Sequence, residues 1–170
     1  MLITAILYKS ATQQLFYSTT KAGYIKMVKT INEIEAEIAD EFSLFDSWED
    51  KYEYIIDMGK KLLPLEQAYK KEENKIKGCQ STVWMVSEFK EGRVIYRAES
   101  DAVIVKGLVS MLIRVLSGQT PDAIINAQLG FIDAIGMKQH LAQTRSNGLL
   151  SMIKQMKMDA GVYKAQQQMN

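Results

Sequence analysis

The chain has 170 residues, 47% of them hydrophobic, and a formal net charge of +1. That length and apolar content suffice for one globular domain with its own core, while the near-neutral charge argues against the strongly basic surface of a dedicated nucleic-acid binder. A single cysteine, Cys79, excludes a disulfide scaffold and fits a reducing, cytoplasmic setting; no apolar run approaches the roughly 20 residues a membrane-spanning helix requires.

Residues 1–26 carry Lys9, Lys21 and Lys26, many Ser and Thr, and no acid, a composition like that of a transit peptide. They read as a dispensable leader, or as the product of a start codon upstream of a true start at Met27, with little order. One domain is expected over 27–165, followed by a frayed, glutamine-rich 166–170.

Thr30 and Glu33 have capping-box spacing, each able to satisfy a backbone donor at a helix start. Ile31, Ile34, Ile38 and Phe42 follow on one helical face. Asp46-Ser47-Trp48-Glu49-Asp50 reads as a second start, with acids where the helix dipole favours them. Trp48, Tyr52, Ile55, Ile56 and Met58 form its expected buried side, core aromatics rather than a cofactor box, and Leu63-Pro64 ends it.

Leu65 to Asn74 is polar and reads as a surface connection. From Ile76 to Ser87 the chain turns β-rich, Lys90-Glu91-Gly92 supplies hairpin chemistry, and Arg93 to Ala98 alternates as a strand with one wetter face. Cys79 therefore falls at the mouth of an antiparallel hairpin. Gly78 allows a sharp bend just before it, and Lys75 and Lys77 would favour its thiolate if they lie close in the fold. A thiol so placed can be presented to another molecule; equally, a free cysteine often serves as a small buried hydrophobe. Either way, one cysteine closes no disulfide within the chain, so covalent sulfur chemistry here involves a second molecule.

Ser100-Asp101 is read as the cap of a helix over about 102–117, apolar nearly all round (Val103, Ile104, Leu108, Val109, Met111, Leu112, Val115, Leu116) and hence central. Gly107 inside it points to a close helix contact, Gly118 to its end, and Pro121 to a short helix with proline at its first position. Another short helix is expected over 131–137. Gln139-His140-Leu141 and Thr144-Arg145-Ser146-Asn147-Gly148 form a polar junction before a last long helix with Leu149, Met152, Ile153 and Met156 on its core side. Helices, then a hairpin, then helices argue an α+β fold, a small antiparallel sheet (hairpin plus one short strand) covered by helices.

These residues resemble the SufE-type sulfur acceptors of iron–sulfur cluster assembly. The resemblance is carried by Lys77-Gly78-Cys79-Gln80-Ser81 with Val83-Trp84, by Ser100-Asp101-Ala102 with Ile104-Val105-Lys106-Gly107-Leu108, by Thr120-Pro121, by Gln139-His140-Leu141 and by Arg145-Ser146-Asn147-Gly148-Leu149. It runs from about Thr30 to Ala160. It implies a fold shared with IscU-type scaffolds and a persulfide carrier that makes nothing alone and has no cofactor of its own. Its partners would be a pyridoxal-phosphate-dependent cysteine desulfurase (SufS-like), which it stimulates, and a cluster scaffold (SufBCD-like), with a second copy of the chain a further candidate; no nucleic acid or membrane is implied. Cys79 stands where the family's sulfur-accepting cysteine stands, on a loop sheltered until a partner engages it. Its side chain is expected to be mostly buried in an apolar pocket formed by the sheet end and the final helices.

Gly78, Gln80 and Ser81 would modulate that loop or meet the partner. Asp101 has two readings, a carboxylate near the hairpin mouth that disfavours the resting thiolate or an acid in a helix first turn. Arg145 would bind acids of the partner, steady an anionic sulfur, or make a surface salt bridge. His140, the sole histidine, reads as a structural or interface residue ahead of a proton shuttle. Rival readings are an enzyme pairing Cys79 with His140, the imidazole oriented by Asp101 or Asn147, and a binding module whose cysteine is incidental. A cluster scaffold needs about four thiolate or imidazole ligands, more than one cysteine and one histidine supply without sharing between subunits.

Overall fold

A computed structural model describes residues 28–169; the expectations for 1–26 lie outside the described residues. Helices α1 (Ile31–Ser43) and α2 (Trp48–Lys60) come first, then two single 3-10 turns (Gln67–Tyr69, Glu72–Asn74). The hairpin β1 (Val83–Lys90) and β2 (Arg93–Ser100) follows, and then α3 (Val103–Leu116), α4 (Pro121–Asn126), α5 (Phe131–Ala134), α6 (Met137–His140) and α7 (Gln143–Met169). The architecture is the expected α+β arrangement.

Three of the start signals do what their chemistry predicts. Thr30 and Glu33 form the reciprocal capping box of α1, Ser47 accepts the Asp50 amide at the start of α2, and Thr120 caps α4 with Pro121 in its first turn. Glu91 (φ 51°) and Gly92 (φ 78°) are both left-handed, which lets the turn follow the twist of the strands it joins. The strands pair antiparallel from Lys90↔Arg93 to Val83↔Ser100. The additional short strand reduces to two single bridges, Lys75↔Trp84 and Val94↔Gln119.

Val94, Tyr96 and Ala98 turn inward, each 1% exposed or less, against α3. That helix is the centre of the molecule: Leu108, Val109, Leu112, Val115 and Leu116 are fully enclosed. The exceptions are in its first turn, at the edge of the core: Val103 is 59% exposed and Ile104 half-buried. Tyr96 donates its buried hydroxyl to the Met156 carbonyl (2.6 Å), tying the hairpin to α7. On α2 only Ile55 and Met58 of the anticipated apolar side are fully buried; Trp48, Tyr52 and Ile56 are half-buried, at the edge of the core.

Several boundaries differ from expectation. The β-rich stretch from Ile76 becomes a regular strand only at Val83, and the one helix expected over 131–137 is two, α5 and α6, separated at Ile135-Gly136, where Gly136 is left-handed (φ 76°). Two more lie at the ends of α7. The polar run Thr144–Gly148 is no junction: α7 starts at Gln143, with Arg145 and Ser146 amides on the Ala142 carbonyl and Gln143 bonded to Asn147 one turn on. At the other end, 166–169 continue the helix instead of fraying. Straight-chain glutamines are good helix formers, and the preceding turn is held by Tyr163 on Ser87 and by Lys164 on Asp122.

Candidate functional site

Between the 3-10 turns and the hairpin the chain leaves the sheet in a short loop and returns. Its two ends are pinned: the Ile76 amide donates to the Val83 carbonyl (2.8 Å), and the Thr82 amide donates to Asp101 Oδ1 (3.0 Å). The Thr82 carbonyl in turn accepts from Ser100 Oγ (2.9 Å). Cys79 sits between these pins, at the open end of the hairpin.

The loop lies on the first turns of α7 through two neighbouring contacts. Gly78 has φ 90°, and a Cβ there would come within 2.7 Å of Ser151 Oγ. Cys79 Sγ points at the Gly148 carbonyl oxygen, 3.5 Å away. Gly148 and Ser151 are three residues apart and so share one helical face. Gly148 is buried, and a Cβ on it would meet Sγ at 3.4 Å. A helix-interior glycine costs about 0.5–1 kcal/mol against alanine; here a methyl would only just touch the sulfur, and any larger side chain would meet it.

The Cys79 side chain is half-buried and packs against the edge of the core, a shallower shelter than the expected pocket. A groove of about 620 Å³ opens between the 3-10 turns, β1 and α7, lined by Tyr69, Lys75, Met85 and Asp159 among others, but Cys79 does not line it. Burial pushes the Cys79 thiol up from its ordinary pKa, so the resting sulfur carries its proton. Neither lysine reverses this: Lys75 is paired with Glu72, and Lys77 is exposed.

The other anticipated residues divide into two groups. Asp101 is at the hairpin mouth, but it acts by holding the Thr82 amide, not by opposing the thiolate, since burial is what raises the thiol. Nor does Ser100-Asp101 cap α3: the N-cap is Ala102, without a side-chain acceptor, because the Asp101 carboxylate is turned back to the loop and Ser100 Oγ takes the Ala102 amide. Gln80 is exposed and Ser81 half-buried beside the thiol.

His140 belongs elsewhere. Its ring is stacked on Trp48 (centroids 3.8 Å apart, 16° between planes), its Nδ1 lies 3.0 Å from the Gly136 carbonyl, and its own carbonyl accepts from Tyr52. Among the described residues it has no hydrogen bond to Cys79, Asp101 or Asn147. Arg145 is exposed in the first turn of α7 and makes no ion pair among the described residues. The residues that sequence reasoning passed over are Thr82, Gly148 and Ser151. For Gly148 a signal existed, a lone glycine at the head of a helical pattern, which often marks a close approach.

Comparison with known proteins bears on the same residues. The family model described as "Fe-S metabolism associated domain", SufE, matches residues 36–160, which span the whole loop and its α7 seat. A SufE-like protein of Rhizobium meliloti is 37% identical over 129 residues, covering 73% of this chain and 92% of that one. SufE-like protein 1 of Arabidopsis thaliana, chloroplastic/mitochondrial, is 38% identical over 137 residues, 78% of this chain and 37% of that longer one. In structure, a hypothetical protein from Thermus thermophilus shares the fold, with a TM-score of 0.63 at 18% identity, covering 75% of this chain and 93% of that one. With its hairpin-mouth cysteine inside a match of this extent, the chain belongs to the SufE family and to iron–sulfur metabolism.

Proposed function

We propose that this chain is a sulfur carrier: Cys79 accepts a sulfane sulfur from a cysteine desulfurase (SufS-like), the chain stimulates that enzyme, and the sulfur passes to an iron–sulfur scaffold (SufBCD-like). The observation that carries this reading is the placement of the sole cysteine, protonated and half-buried, on a loop pinned at both ends. In the transfer, Cys79 loses its proton to solvent, its thiolate attacks the terminal sulfur of the donor persulfide, and a new sulfur–sulfur bond forms. The donor's sulfur–sulfur bond breaks and its cysteine leaves as a thiolate.

The neutral resting thiol is a poor nucleophile, since the thiolate is the reactive form. Docking of a partner that draws the loop off α7 would remove the desolvation that holds the proton, confining reaction to the complex. On this reading the chain needs no cofactor of its own, the pyridoxal phosphate being the partner's, and works in a reducing compartment such as the cytoplasm. No helix of the described residues is long and apolar enough to cross a membrane.

A nucleophile–base enzyme is disfavoured by the position of His140, whose ring is committed to Trp48 and Gly136. Intact-protein mass spectrometry after incubation with a cysteine desulfurase and cysteine tests the proposal. One added sulfur, removable by reductant and missing from Cys79→Ser, is the expected result; full stimulation and delivery by Cys79→Ser would overturn it.

A further inference from the structure

The contact between Cys79 and α7 carries a consequence for what happens once a sulfur has arrived. We propose that Gly148 is a positioning residue that seats the unloaded thiol, and that adding a second sulfur to Cys79 unseats the loop. The inference rests on the carrier reading and adds to it a response of the loop to its own cargo.

The seat fits a thiol in two respects. Sγ packs on the bare backbone of Gly148, where a Cβ would only just touch it and a larger side chain would intrude, and the Gly148 carbonyl oxygen, 3.5 Å from Sγ, accepts the thiol proton. A persulfide fails the second. Its inner sulfur bears no hydrogen, so the bond to the Gly148 oxygen is lost and two electron-rich atoms face each other. Nor does the second sulfur fit between them: a sulfur–sulfur bond of about 2.05 Å would end well inside contact distance of that oxygen.

The terminal sulfur must therefore point away from α7, towards the open side of the half-buried side chain. There it is ionised more readily than a thiol, and a charged group prefers water to a partly buried position. Lost bond and added charge act in the same direction. On α7 the loop then keeps only the close approach of Gly78 to Ser151, while its two ends stay pinned through Ile76 and Thr82. In this account the empty carrier is closed and unreactive, and the loaded one leans outward, ready for an acceptor.

The test loads the full chain without any partner, by brief treatment with inorganic polysulfide. The Cys79 thiolate attacks the terminal, protonated sulfur of a hydropolysulfide; the new Cys79 sulfur–sulfur bond forms as the next sulfur–sulfur bond breaks, and the polysulfide shortened by one sulfur leaves as its anion, so that one sulfur is added to the protein. Hydrogen exchange of a peptide covering 77–82 is then compared in the free, loaded and re-reduced protein. Exchange about three- to tenfold faster on loading is expected, the population change set by one ordinary hydrogen bond, with reversal on reduction. A mixed disulfide of Cys79 with methanethiol, which removes the proton without adding charge, should give part of the effect.

Gly148→Val, whose side chain fills the seat, should expose the loop before loading, lower the pH at which the thiol reacts with a neutral alkylating agent, and abolish the change on loading. Unchanged or slower exchange in the loaded wild-type chain, with Cys79 shown by mass to carry the sulfur, overturns the inference while leaving the carrier reading intact. Should Gly148→Val fail to fold, the wild-type comparison still decides. Failure of a desulfurase to load Cys79 would count against the carrier reading alone.

Discussion

Gly107 lies against the backbone of Ile55 where α3 crosses α2, so close that a Cβ on the glycine would come within 2.2 Å of the Ile55 carbonyl oxygen. On the facing helix, a Cβ on Gly59 would come within 2.7 Å of the Gly107 nitrogen. Neither obstacle is the end of a flexible side chain. Gly107→Ala should therefore destabilise by about 1–3 kcal/mol, the usual range for overpacking, read from urea unfolding midpoints. Gly161→Ala is the matched control: it is helical, a Cβ there meets nothing within 4 Å, and the change should stabilise by roughly 0.5–1 kcal/mol.

The hold of Asp101 on Thr82 predicts a different kind of variant. Asp101→Ala leaves the Thr82 amide without its acceptor and frees one end of the Cys79 loop. Stability should fall by only about 1 kcal/mol, one hydrogen bond at an exposed position. Reactivity of Cys79 towards iodoacetamide at neutral pH should rise several-fold. Asp101→Asn, which keeps an oxygen in place, should stay close to wild type.

The protonated thiol has a pH signature. Because burial raises its pKa in the folded chain, the unfolded chain loses this proton first as pH rises. The contribution of the thiol to stability is complete below the ordinary thiol pKa and is lost as pH climbs through the higher folded value. Melting temperatures should therefore fall faster on the alkaline side for wild type than for Cys79→Ser. Parallel curves would show the thiol to be as free as one in a peptide.

A second titrating cluster lies away from the loop. Arg114 grips both carboxylate oxygens of Glu41 (2.6 and 2.7 Å), and Tyr54 donates to the same carboxylate (2.7 Å). The Arg114 hydrogen bonds hold Glu41 below the usual carboxylate range, so its stabilisation is present above the ordinary pKa and disappears as pH falls through the folded one. Arg114→Met should cost about 1.5–3 kcal/mol, the worth of hydrogen bonds to a charged group, and should flatten the acid limb of the stability curve. Burial and then Glu41 push the Tyr54 hydroxyl up to about 12, which ultraviolet titration against Tyr54→Phe would detect.

What was legible in the sequence was local and strongly encoded. Thr30 with Glu33, Glu91-Gly92 and Thr120-Pro121 each place a backbone group within three residues, and each forms as read. The heavy apolar content of α3 announced the centre, because a helix apolar on every side has nowhere else to go. Tertiary partners were not legible. Asp101 has helix-start chemistry, yet its carboxylate finds the Thr82 amide across the hairpin mouth. His140 and Cys79 look like a nucleophile and base until packing puts the imidazole on Trp48. Thr144–Gly148 has turn-forming composition, and only its docking under the loop shows why helix wins there. Gly148 itself could be read as a junction residue; that it faces a sulfur is a fact of the fold.

The length of α7 has a practical side. Its 27 residues form a rod of about 40 Å, with the sulfur resting near one tip and the last described residue at the other. The Tyr163 and Lys164 clasps stand well along that rod, so a dye attached at the exposed position of Met169, through Met169→Cys in a Cys79→Ser chain, would ride far from the chemistry. A fluorophore there would report how the whole carrier turns when a large enzyme takes hold of it, without getting in the way of that grip.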